Sequence, residues 1–207
     1  MLLFWYQIII NIPRSFSVLA QNFNEFWLIW FNYRIIHRTL GTNKRLHMSK
    51  VKNSPLCSIC AQEPETIKHI FFYCTSVLRL WEKLSDWIFE KSGKRMEFNV
   101  QTVIFGFSEK DNMVLNLIIP LVKKYIFQYS RKNVNIDFNN VLICIHNYYI
   151  LEGKLTELTF YQRKWSKWKC LFNEWYLSFC FVLYYLIVTK DLNTYHNDIV
   201  KLYMYFW

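Results

Sequence analysis

The chain is poor in residues that interrupt helices, with four Gly and four Pro among 207. A turn-rich β fold needs more of both, so the shortage favours helices. Acidic residues are scarce too, 15 against 25 Lys and Arg. They are also scattered. Asp111, Asp137, Asp191 and Asp198 suggest no carboxylate cluster of the kind that holds paired metals in a polymerase or nuclease. Absent as well are a Walker-type phosphate loop, a G-x-G-x-x-G turn, an H-E-x-x-H helix and a G-x-S-x-G elbow. His37, His47, His146 and His196 are isolated and read as surface or packing histidines. Together these absences point to a protein that is not an enzyme.

Apolar runs long enough to cross a bilayer are also missing. The stretch 175–189 is flanked by Glu174 and Lys190 and falls short of the ~20 residues a span requires. It reads as a buried or interfacial helix and not as a span. A membrane-associated protein, which would require a span near 175–189, is only a third reading. Residues 1–12 are nearly all apolar, and Val18-x-Ala20 mimics a cleavage site. No basic segment precedes them, and Gln7 and Asn11 interrupt the run, which argues against a signal peptide.

Apolar and aromatic surface is abundant, 53% and 20% of residues. That is ample to offset chain entropy, so disorder is not expected. The formal charge is +10, which attracts polyanions. Its distribution is informative. No acid occurs from Phe26 to Gln62, while Arg34, Arg38, Lys44, Arg45, Lys50 and Lys52 all fall there. A second acid-free run, Asn112 to Ile136, holds Lys123, Lys124, Arg131 and Lys132. Arg163, Lys164, Lys167 and Lys169 make a third cluster. One-sign clusters are often only solvated faces. Three of them in one chain favour a phosphate-contacting surface, for RNA or DNA.

The densest chemical signal is Cys57, Cys60, His69 and Cys74, spaced C-x2-C-x8-H-x4-C. Three sulfurs and one imidazole suit tetrahedral Zn²⁺, and four protein ligands leave no position for water. One structural zinc is therefore expected. A redox role for the C-x-x-C pair lacks the flanking strand and helix it needs. Cys144, Cys170 and Cys180 lie in apolar helical contexts and read as buried thiols, consistent with a reducing, intracellular setting in cytoplasm or nucleus.

Periodicity gives a mainly α fold. A small zinc-knuckle module is packed between helices, with a C-terminal helical extension. Asn22 or Asn24 is placed to cap a first helix reaching about Leu40, with an aromatic stripe through Trp27, Trp30 and Phe31 and a stop at Gly41. Thr66 is placed to cap a short helix carrying His69. Cys74, five residues on, would lie ~140° around a continuous helix from His69, so the helix should break before it. Thr75 or Ser76 would then cap a helix over Val77–Lys91, leaving Cys74 at its N-terminus. Glu63 or Glu65 is placed to accept the second imidazole N–H of His69. Trp81 and Trp87 read as core. Val100 to Phe107 reads as β-prone. Pro120 is expected to kink or split a helix over Asn112–Tyr129 near Ile118. Asp137 or Asn139 should start a last long helix reaching Trp168.

Several segments resemble one family closely. These are Phe31 to Leu46, the SPLCSIC segment from Ser54 to Cys60, the ETIKHIFFYC segment from Glu65 to Cys74, and Trp81. Together they resemble the zinc-binding domain located after the polymerase in non-LTR, LINE-type retrotransposon polyproteins. The stretch from Gly106 to Trp168, with Lys123-Lys124 and the Arg163-to-Trp168 run, is similar to the segment C-terminal to that domain in such polyproteins. The resemblance implies that the four Cys and His residues are zinc ligands. It also implies a module that helps a reverse transcriptase, here supplied by another chain, to hold RNA or DNA. It divides the chain into an unassigned apolar leader (1–21), the zinc-binding domain (22–92), a helical extension (93–169) and an unassigned apolar tail (170–207). The two ends do not resemble the family and read as flanking sequence of a decayed element. The alternative is a protein-interaction scaffold or a non-functional fragment of a decayed retroelement.

Overall fold

A computed structural model of the chain describes residues 26–108, 112–132, 136–155 and 158–172. The chain divides into two compact units, Met1–Lys167 and Trp168–Trp207. In the first unit α1 (Phe26–Ile36) and α2 (Asn43–Met48) precede a loop that leads to a π-helical turn, His69–Tyr73. Then come α3 (Thr75–Ser92), α4 (Val100–Phe105), α5 (Met113–Lys132), α6 (Phe138–Leu155) and α7 (Leu158–Trp165). A 3-10 helix, Ser166–Phe172, ends the described chain. No strand occurs among the described residues; a single antiparallel bridge joins Leu56 to Pro64. The fold is mainly α, as the shortage of Gly and Pro implies.

The centre is α5. It is buried on nearly every side from Val114 to Ile126, as expected of a helix apolar all round. It packs against α1, the π-helical turn, α6 and α7. Pro120 sits inside it, yet the helix runs on unbroken to Lys132, contrary to the expected split. Packing on so many faces outweighs the one donor that proline removes. Asn116, one turn earlier, ties the helix back to the preceding loop: its side chain accepts from Phe107 N at 2.6 Å and donates to Phe107 O at 2.8 Å.

Other expectations need correction. Helix α1 ends at Ile36, not near Leu40, and Gly41 is not its stop. Arg38 is, at φ 56°. Arg38 N donates to Ile35 O (3.1 Å) and Thr39 N to Arg34 O (2.8 Å), the paired bonds of a Schellman cap. The buried face of α1 includes Leu28, Asn32 and Ile35. Trp30 stays about one third exposed and stacks on Tyr33. The expected caps Asn22 and Asn24 lie outside the described residues, as do the apolar ends and Cys180. Val100–Phe105 is helical because Asn99 and Thr102 form a reciprocal capping box, which overrides the β preference of Val and Ile. Asp137 Oδ1 accepts from Asn139 N at the start of α6, as expected. The long helix towards Trp168 is instead three elements, α6, α7 and the 3-10 helix. Cys144 and Cys170 are only half-buried, and so is Trp87. Among the described residues no helix is long and apolar enough to cross a membrane.

Lys123 illustrates what composition cannot show. It lies in a basic run, yet its side chain is fully buried on α5, with Nζ 3.4 Å from Ile104 O. Burial pushes its ammonium down to about 7. The unfolded chain, at 10.5, then binds more protons than the folded one between about pH 7 and 10.5. Stability should therefore rise with pH across that window, by several kcal/mol. Denaturant titrations at several pH values should show that rise in the wild type and lose it in Lys123→Met, which should also be the more stable protein at pH 7.

Candidate metal centre

Four short-range devices bring the donors together. The Leu56–Pro64 bridge closes the loop, with Cys57 N donating to Glu63 O at 2.8 Å. Cys57 and Cys60 form a tight turn sealed by Ala61 N to Cys57 O at 2.8 Å, with Ala61 at φ 54°. Thr66 Oγ1 accepts from His69 N at 3.0 Å and starts the helical turn that carries His69. The fourth device is the π-helical turn itself. Cys74 N donates to His69 O at 2.8 Å, an i→i+5 bond that an α-helix does not make. It folds Cys74 back over His69, where a continuous α-helix would carry it away. Cys74 is extended (ψ 128°) and is itself the N-cap of α3. The break before Cys74 and its place at a helix N-terminus match expectation, while neither Thr75 nor Ser76 is the cap.

The result is a compact donor set. The three Sγ atoms and one imidazole nitrogen lie within 4.8 Å of one another, and Cys60 Sγ is 3.3 Å from His69 Nε2. A tetrahedral Zn²⁺ separates such donors by about 3.5–3.8 Å. Cys57, Cys74 and His69 are buried, so the site is closed on most sides. The sulfurs behave as a set that wants a cation. A hydrogen bond from Cys74 is the main reason the Cys57 thiol is pushed down to about 5. The same contact, with burial, pushes Cys74 up. Two sulfurs thus compete over one proton, and a divalent ion satisfies both as thiolates. The backbone N–H of Ser76 favours the Cys74 thiolate, as its helix N-terminal position also does. The donor set fits one structural Zn²⁺.

Around the ligands, Glu63 and Glu65 divide the work. Glu63 Oε2 lies 3.2 Å from His69 Nδ1, at ion-pair distance but not aligned as a hydrogen bond. Glu65 has another task. It is fully buried and accepts from Asn43 N (2.8 Å), Ser58 N (3.2 Å) and Arg131 Nη2 (2.8 Å). Arg131 also donates to Asn43 Oδ1 and Gly41 O. Asn43 Nδ2 reaches Leu56 O and Ser58 Oγ. This network joins α2, the ligand loop and the end of α5. Below it Phe71 packs against Phe31 and Phe127, with ring centroids 6.1 and 6.5 Å apart. Trp81 is core, as read from the sequence, and its Nε1 donates to Phe71 O at 2.8 Å.

The basic residues do not share one fate. Arg38, Lys44, Arg45 and Lys50 are exposed, and Arg34 and Lys52 half-buried. Lys52 Nζ donates to Asn43 Oδ1 at 2.8 Å. Among the described residues none of the six pairs with a carboxylate. The second run fails as a surface, because Lys123 is buried and Arg131 is held by Glu65. In the third, Lys164 is buried against Glu152. Sequence reasoning missed Asn43 and Arg131 as supports of the metal loop, since nothing in spacing links residues so far apart in the chain. Residues 18–81 match the family model described as zinc-binding in reverse transcriptase. No curated protein and no solved structure matches the chain. The four converged donors lie inside the matched segment, so the chain carries a stretch similar to the zinc-binding domain of reverse transcriptases.

Proposed function

We propose that this zinc-stapled module is a non-enzymatic contact surface for RNA or DNA, serving a retrotransposon reverse transcriptase supplied by another chain. The observation that carries the reading is the exposure of Arg38, Lys44, Arg45 and Lys50 on α2 and its flanks, beside the ligand loop and away from any carboxylate partner among the described residues. Arg34 and Lys52 stand at the edge of that surface. The zinc supports it indirectly: it fixes the loop against which α2 rests, and with it the positions of the cations.

Phosphate contacts release counterions, so affinity should fall steeply between roughly 50 and 200 mM salt. Arg38 offers a test free of a folding artefact. Its left-handed backbone costs a non-glycine residue ~1 kcal/mol or more. Arg38→Gly should therefore stabilise the fold slightly while weakening oligonucleotide binding and lowering the salt slope by about one. Anisotropy titrations at several salt concentrations measure both. Affinity that survives about 1 M salt unchanged would remove the phosphate-contact reading.

A further inference from the structure

On one side of the module, α1, α2, the start of the helical turn and α4 enclose a groove of about 760 Å³. That is within the range of sites that take small organic groups. Arg38, Lys44, Arg45 and Lys68 line it, and no acidic residue does. Between the cations the wall is aliphatic, with Leu40 and Ile104 buried beneath. Two large apolar side chains stand open to solvent at its edge, Met48 at 75% and Phe105 at 46% exposure. Arg45 donates to the carbonyl of Arg38, which holds one rim cation to the other. Arg38 keeps a strained left-handed backbone where glycine would be cheaper, which is the kind of local cost found at working sites.

We infer that this groove receives an unstacked base of a single-stranded nucleic acid, while its rim cations hold the flanking phosphates; this rests on the nucleic-acid reading above. A rim of cations around apolar and aromatic surface is the combination that binds single strands. A duplex presents its phosphates to the same cations but keeps its bases stacked inside, away from the apolar wall. The groove thus predicts a preference for strand form where the rim alone predicts none.

The test uses the full zinc-loaded chain and fluorescent oligonucleotides at one salt concentration. The probes are a short unstructured oligouridylate, a matching oligothymidylate, a duplex of equal charge and an abasic strand with the same phosphates. Both base-bearing single strands should bind about tenfold more tightly than the duplex and the abasic strand. Phe105→Ala should weaken single-strand binding about fivefold or more, with duplex affinity and salt slope unchanged. Phe105→Trp should restore it, and unchanged zinc content confirms folding. Equal affinity for single strand and duplex, or single-strand binding indifferent to Phe105→Ala, overturns the groove. In that case the loss caused by Arg38→Gly decides separately whether the phosphate reading stands. An acidic amphipathic peptide that fills the groove while the oligonucleotide stays bound would also overturn it.

Discussion

Arg131→Met is expected to destabilise the protein by about 3 kcal/mol, the largest effect foreseen for a residue that touches no metal ligand. Glu65 is fully buried, and Arg131, one quarter exposed, is its only cationic partner among the described residues. Removing the guanidinium leaves a carboxylate in the interior with two backbone donors, Asn43 N and Ser58 N. Stranding one member of a buried pair costs ~3–5 kcal/mol. The partial exposure of Arg131 puts the expectation at the low end. The double variant Arg131→Met, Glu65→Leu removes both charges and should recover part of the loss, because an apolar pair needs no desolvation. Equilibrium urea unfolding of the three proteins measures this. An Arg131→Met protein as stable as wild type would show that the bridge between α5 and the metal loop carries no net stability.

Loss of the metal should do more. The loop from Cys57 to Cys74 has one β-bridge and a single π-helical turn as regular structure. Its ligands are otherwise thiols that burial and mutual contact leave poorly satisfied. Apparent binding free energies of structural zinc in small modules run to ~10–16 kcal/mol. A chelator should therefore unfold the loop and release α2 and the start of α3, with a loss of several kcal/mol. Hydrogen exchange should show Cys57, Ala61 and Cys74 amides losing protection first, since their bonds close the ligand turns. Helix α6, which lies against α3, α5 and α7, should keep its protection longest.

The metal set is legible in the sequence because spacing and ligand chemistry constrain each other. The register of α3 is legible too: Val77, Trp81, Leu84 and Ile88 are all buried. The break between His69 and Cys74 follows from helix geometry alone. The π-helical turn that accomplishes it does not, since no side-chain pattern marks an i→i+5 bond. Long-range partners are the other loss. Arg131 and Lys123 look alike in a basic run, yet one pairs with a buried carboxylate and the other is buried against a carbonyl. Only the position of α5 in the core separates them. Likewise Val100–Phe105 has β-prone residues, and one capping box at Asn99 decides the matter locally. The Glu-Thr pair before His69 reads in sequence as one outer partner and one cap. Thr66 keeps the cap, while Glu65 gives up the imidazole to Glu63 and becomes the hub of the loop.

Zinc content per chain is the most direct measurement. Wild-type protein purified without added metal should carry about one zinc, bound through Cys57, Cys60, His69 and Cys74. Cys60→Ser, which alters the most exposed of the four ligands, should lose most of that zinc and unfold locally at the metal loop. A full equivalent of zinc in Cys60→Ser, or none in the folded wild type, would contradict the account.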